Sequence, residues 1–344
     1  MNRFLRSNLT QLSCLLVALS VCTTSICHSQ DSDRASKLDK VWYGPVITSR
    51  SNSDDWEVPK TTLLTGRIRG FDETELVLVD QSGKSVRIAS NRVFRVENAW
   101  TIAAATDALA LLDERKYREA ITALQAVLQE GLPPWQSQFL VRGLVRAASG
   151  LQRPRVAGIV FLQYLANANP PDLLYSDLPL AWTPEEPDQL LREQASKWIR
   201  GDSEIEQLLG ASWSLSGSDR PLAQRTLTRL QTSESEIIAK LASCQLWRFV
   251  PPPQTMSGLQ SWLAFRDKLI PPLQLGPTEF IADRLMRVGQ KDLAVGQWMR
   301  IATVHPHRYD RAVVALEAAK DNLKQGGFDS EAERLGEWIK SLGN

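Results

Sequence analysis

Histidine and cysteine are scarce in this chain, three and four respectively among 344 residues. That leaves little raw material for a histidine-based catalytic centre or a thiolate metal site, since a bound metal wants three or four converging ligands with their own supporting hydrogen bonds. Charge of one sign is lacking as well. Forty basic side chains stand against thirty-nine acidic ones, a formal +1. No basic surface is then available to neutralise phosphates, which excludes a dedicated nucleic-acid binder. Long apolar runs are also missing: the longest, Leu12 to Cys22 (LSCLLVALSVC), falls well short of the ~20 residues that span a bilayer. What remains, 43% hydrophobic and 23% charged residues, is globular, in a chain long enough for two or more domains.

The N-terminus is read before any fold. Arg3 and Arg6 precede the apolar run, no acid occurs before Asp31, and Thr23-Thr24-Ser25 follows. This is the layout of a secretory signal peptide over 1–29, with Cys27 and Ser29 as the small residues about the cleavage point. Leu19-Ser20-Val21-Cys22 resembles a lipobox, which would put a lipid anchor on Cys22; the residue before the cysteine is normally small, and Val21 is not. Loss of the leader removes two arginines and no acid, taking the charge from +1 to −1. It also removes Cys14, Cys22 and Cys27. Cys244 alone cannot form an internal bridge, so stability must come from core burial. The expected location is outside the cytoplasm, in a periplasm or cell envelope, with no integral span in the mature chain.

Residues 30–60 read as a flexible linker. They are polar and irregular, as in Asp31-Ser32-Asp33-Arg34 and Ser49 to Asp55, with Trp42, Tyr43 and Trp56 as points that could dock elsewhere. Over 61–98 the period becomes two: Leu64, Gly66 and Ile68 alternate with polar residues, as do Val86 and Ile88, and Asp80-Gln81-Ser82-Gly83 is turn chemistry. Four short antiparallel strands are expected. The stretch TGRIRGFDETELVLVDQSGKSVRIASNRVFRVE resembles the small β barrels of the Sm-like and Src-homology type, families that bind RNA or proline-rich peptides. The near balance of charge over 66–97 gives no footprint for RNA.

From Trp100 the period is helical, so 99–344 is read as a helical-repeat domain. Ala104, Ala108, Leu111 and Leu112 mark one apolar face, and Tyr117, Ala120, Ile121, Leu124 and Leu128 a second. Gly131-Leu132-Pro133-Pro134, Pro170-Pro171, Pro251-Pro252-Pro253, Pro271-Pro272 and Gly326-Gly327 punctuate the rest. Ala108, Leu111, Tyr117, Ala120 and Leu124, and again Ile281, Ala282, Leu285, Ala294, Trp298 and Pro306, resemble tetratricopeptide repeats. Residues 220–248 resemble a HEAT-type helix pair equally well, and the pattern is degenerate between 135 and 276. The resemblance implies a mostly α fold, a solenoid of helical hairpins behind a small β module, whose concave face holds a peptide or protein partner. Candidate contact residues are Arg142, Arg146 and Tyr164, expected as exposed groups on inner helices.

Catalytic signatures are sparse. Gly83-Lys84-Ser85 ends like a phosphate loop, but Leu78 replaces the required earlier glycine and the segment sits in a hairpin. Gly210-Ala211-Ser212-Trp213-Ser214 reads as a loop and helix cap. His305-Pro306-His307 with Asp310 reads as an inter-helix turn, and Glu185-Glu186 and Asp188 as acids at a helix start. Cys244, at three-four spacing from Ile237 and Leu241, is expected on a buried face. The eleven tryptophans suit inter-helix packing. No catalytic residue, metal or cofactor is indicated. The function class expected is an exported, non-enzymatic interaction or scaffold protein; the alternatives are an envelope hydrolase working through a carboxylate pair, or an architectural assembly subunit.

Overall fold

A computed structural model describes residues 38–45, 60–168, 170–182, 186–215, 218–251 and 256–342. The leader, Cys22 and Trp56 lie outside these residues. The described chain belongs to the unit Leu38–Asn344. It is mostly helical, behind a small sheet of five antiparallel strands.

The strands are β1 (Asp39–Tyr43), β2 (Thr62–Phe71), β3 (Glu75–Asp80), β4 (Ser85–Ala89) and β5 (Val93–Glu97), in the order β4-β3-β2-β1-β5. The expected strands become β2 to β5. β1 comes from the stretch expected to be a linker, and it lies inside the sheet, paired with β2 on one side and β5 on the other. Its buried Asp39 explains the placement: one carboxylate oxygen accepts from Ile68 N at 2.8 Å and the other from Ala99 N at 2.7 Å. The β3–β4 turn is set by Asp80, whose Oδ1 accepts from Ser82 N, Ser82 Oγ and Lys84 N, with Gly83 at φ +83°. Edge strands β4 and β5 do not pair, so the sheet is open rather than a closed barrel. Alternate residues Ile68, Leu76, Leu78 and Ile88 form its buried face with Val41 and Val93. That face shares one hydrophobic core with the helices, through Phe71 against Phe139 at 6.2 Å.

Thirteen α-helices follow among the described residues: α1 (Ala103–Asp113), α2 (Tyr117–Val127), α3 (Pro134–Gly150), α4 (Pro154–Val160), α5 (Gln189–Trp198), α6 (Glu204–Trp213), α7 (Arg220–Leu230), α8 (Glu236–Leu246), α9 (Met256–Arg266), α10 (Leu275–Arg287), α11 (Lys291–Val304), α12 (Tyr309–Gln325) and α13 (Asp329–Leu342). None is long and apolar enough to cross a membrane. Sequence chemistry starts them. Proline stands in the first turn of α3, α4 and α7. Asp188 caps α5 by accepting from Leu191 N at 2.7 Å, and Ser203 caps α6 by accepting from Glu206 N at 3.2 Å. Helix packs on following helix in three runs, α1 to α4, α5 to α8 and α10 to α13.

Four of these hairpins turn in the same way. Arg115, Gln152, Gly289 and Gly327 each adopt a left-handed φ between +57° and +80°. In each case the next backbone N–H donates back to a carbonyl in the last turn of the helix: Lys116 to Leu111, Arg153 to Ala148, Gln290 to Leu285 and Phe328 to Leu323, at 2.8–2.9 Å. The sequence does not announce the break after α4, where the chain continues as a π turn (Phe161–Leu165) and two 3-10 segments (Ala166–Ala168 and Asp172–Asp177).

Burial follows the expected faces with shifts of one residue: Ala105 is buried and Ala104 exposed in α1, Val127 is buried ahead of half-buried Leu128 after α2, and Ile238 rather than Ile237 is buried in α8. Cys244 is fully buried, and desolvation raises its thiol pKa far above the ordinary value. Trp135, Trp198, Trp247 and Trp262 are buried, and Trp247 stacks on Trp262 with centroids 5.2 Å apart and planes 8° from parallel.

Candidate functional site

Two polar constellations stand out. The first contains two of the three expected contact residues. Arg142 and Arg146 lie one turn apart on α3, yet neither is a free surface group. Arg142 Nε donates to Asp177 Oδ2, at the end of the 3-10 segment Asp172–Asp177. The other oxygen of Asp177 takes Arg308 Nη1 at 3.0 Å. Arg308 also reaches Asp310 at 3.5 Å, and Asp310 accepts from Arg146 Nη2 at 3.2 Å. Arg146 in turn comes within 4.0 Å of Asp113. Beside this chain of charges, Arg311 grips Glu279 in a bidentate pair. Both arginines were expected as exposed groups on inner helices; their side chains are instead largely buried against carboxylates that the helical period of α3 does not reveal. Tyr164, half exposed on the π turn, takes no part.

The electrostatics follow from burial. Desolvation alone would raise the pKa of Asp177, but Arg142, Arg308 and Arg146 outweigh it and hold the carboxyl down to about 2. Asp310 is likewise held far below the usual carboxylate range, against its own desolvation, by Arg308, Arg146 and Arg311. His305 and His307, 6.2 Å apart, border the network. Burial pushes His307 down to about 3, aided by Arg95, Arg308, Arg142 and Arg146. A neutral imidazole can ligate a metal, but among the described residues no group of His, Cys, Asp or Glu is placed to hold one. Desolvation offsets much of the Coulombic gain in a buried ion network, whereas removal of one partner leaves an uncompensated charge.

The second constellation is a half-open cleft of about 180 Å³. Its aromatic walls are Trp182, Trp213 and Phe280, and Arg220, Arg248 and Arg284 face it along with Glu186 and Asp283. Several anchors fix the walls. Trp213, the last residue of α6, donates its indole N–H to the Pro179 carbonyl at 2.8 Å. Trp182 lies over Gly276 of α10, where an added Cβ would fall 2.2 Å from its Nε1. Arg248 donates through Nη1 to the carbonyls of Ala181 and Ser212, at 2.8 and 2.7 Å, and to Gln245. Desolvation, then the nearby charge of Arg284, lowers its pKa to about 9. Arg284 packs its guanidinium 5.0 Å from the centre of Phe280. Its Nε is buried without a hydrogen-bond partner among the described residues. Asp283 is engaged by Arg287 one turn away, at 3.0 Å.

The cleft was not legible in the sequence, because its members come from four separate stretches of chain. Of them, Glu186 drew notice as an acid at a helix start, and Ser212 and Trp213 in the segment expected to be a loop and cap; that segment instead ends α6, with Ser212 and Ser214 hydroxyls donating to the carbonyls of Leu209 and Gly210. Comparisons with family models, curated proteins and solved structures return no match for this chain.

Proposed function

We propose that this chain is an exported, non-enzymatic interaction protein that holds a peptide or protein partner on its stack of helical hairpins. The cleft between α6 and α10 is the observation that carries this reading. Its volume, about 180 Å³, is below the 300–1,000 Å³ typical of sites that enclose a cofactor or drug-sized substrate. It matches one inserted side group, the way protein interfaces concentrate their energy on a buried anchor. Its Trp and Arg lining is the composition such anchors' pockets favour. The tetratricopeptide-like and HEAT-like spacing supports the same reading, as does the recurring hairpin turn. Export rests on the leader-like first 29 residues.

The test is a photo-crosslinking residue placed at Leu215, on the rim of the cleft, in the chain expressed in its native envelope. A reproducible crosslinked polypeptide supports the reading. Turnover of a cell-wall fragment by the purified chain, with no polypeptide crosslinked, would instead favour a carboxylate hydrolase.

A further inference from the structure

We propose that the cleft captures the C-terminal residue of its partner, taking the chain-end carboxylate on Arg284 and Arg220 and an apolar terminal side chain against Trp182, Trp213 and Phe280. This inference rests on the partner-binding reading above and names what the partner presents. Three guanidinium groups converge on one small opening. A planar carboxylate is the group that a guanidinium fork matches with two parallel hydrogen bonds. The buried Nε of Arg284 lacks an acceptor among the described residues, and an isolated buried donor of this kind costs free energy until one arrives. Mutual repulsion between Arg248 and Arg284 acts in the same direction: an anion between them relieves it. The carboxylate of Asp283 is already turned to Arg287.

The walls decide which carboxylate. An internal Asp or Glu brings the charge on a short stem and leaves the half-buried rings of Trp182 and Trp213 uncovered, with Phe280 buried behind them against Trp262. Inorganic phosphate has no apolar part at all. A terminal residue supplies both halves from one backbone unit, and capture of a chain-end carboxylate is an established mode of peptide recognition. The position of Arg220 suits the rim. It is exposed, stacked 4.9 Å from the ring centre of Phe249 and tied to the Leu215 carbonyl at 2.9 Å, so its charge sits at the mouth of the cleft.

The experiment uses the full chain and three fluorescein-labelled peptides of one Gly-Ser spacer sequence: one ending in Leu as the free acid, the same as the C-terminal amide, and one amidated with an internal Asp. Binding is followed by fluorescence anisotropy. The expected result is binding of the free acid at least tenfold tighter than the amide and the internal-Asp peptide. Arg284→Gln should erase that difference and Arg220→Gln should shrink it several-fold. If Arg284→Gln does not fold, as judged by circular dichroism, Arg284→Lys and Arg220→Gln carry the comparison, because the lysine keeps the charge without the fork. Equal affinity for acid and amide overturns the proposal. So does preference for the internal Asp, binding of none of the three, or displacement by inorganic phosphate that is indifferent to the terminal side chain. A polypeptide crosslinked at Leu215 whose yield is unchanged in Arg284→Gln overturns this inference and leaves the partner-binding reading standing.

Discussion

Arg146 on α3 and Asp310 at the start of α12 meet at 3.2 Å although 164 residues separate them in the chain. Stacked repeats ordinarily touch only their neighbours in sequence. Here the last hairpins are tied to the first, and Asp177 sits between them holding Arg142 and Arg308 at once.

Removing one partner from such a buried network leaves uncompensated charge. Asp177→Asn should therefore lower unfolding stability by about 3–5 kcal/mol. A cycle of Arg146→Met and Asp310→Asn should reveal coupling of about 1–2 kcal/mol. Urea denaturation of the unaltered chain, the three single variants and the double variant measures both, and additive effects of Arg146→Met and Asp310→Asn would show that the long-range pair is decorative.

Acidification should weaken the fold through the same region. His307 titrates near 3 in the folded chain against 6.5 ordinarily, so the unfolded chain alone takes up a proton as pH falls from 6.5 towards 3. Asp177, held near 2 against 3.8, extends the loss below pH 4. Asp172 works the other way: burial, then Glu236, raises it to about 6, so its contribution is present below pH 4 and lost as pH rises through 6. Between pH 6.5 and 4 the two buried imidazoles, His307 and His305, both held neutral by desolvation, should together outweigh Asp172. His307→Gln should make the fall of urea midpoint with acidification shallower across that window, with the share of His305 remaining, and an unchanged slope would place the titration elsewhere.

Gln152 closes the α3–α4 hairpin with φ +57°, a conformation that glycine adopts freely and other residues adopt at a cost. Its counterparts after α10 and α12 are Gly289 and Gly327. Gln152→Gly should raise stability by about 0.5–1 kcal/mol in chemical denaturation, the reverse of the usual effect of adding glycine.

Gly276→Ala should deform the cleft. Its methyl group would land 2.2 Å from the indole nitrogen of Trp182, and both Trp182 and the backbone of α10 are packed. We expect a loss of about 1–3 kcal/mol. We also expect a weaker response of anisotropy to the free-acid peptide, with the helical circular dichroism spectrum retained.

Much of the helical region was legible because each helix carries its own signals. Periodicity placed Ala108, Ala120 and Leu124 on buried faces, and Gly326-Gly327 marked a turn. Strands β2 to β5 were legible for a similar reason, since alternation survives within a single strand. β1 was not. Its five residues DKVWY carry too little alternation to stand out from polar surroundings, and what recruits them is Asp39 bonding to Ile68 N and Ala99 N, contacts that exist only after folding. The arginines of α3 failed in the opposite sense. They were expected to be exposed, but exposure depends on what lies across from them, and Asp177 and Asp310 are 35 and 164 residues further on from their partners. The cleft combines both difficulties, for Trp182, Arg220, Arg248 and Arg284 share no local pattern.

The tie between Asp177 and Arg308 also bears on how the chain is made. A ribosome or export channel releases it from the N-terminal end, so the α3 arginines and the aspartate at 177 emerge long before the segment that completes their charge balance. Until residues 308–311 arrive, the half-built interior holds polar groups that water must continue to solvate, and closing so long a loop carries an entropic cost. Final consolidation should therefore wait for the end of synthesis, leaving the early helices loosely packed in the interval.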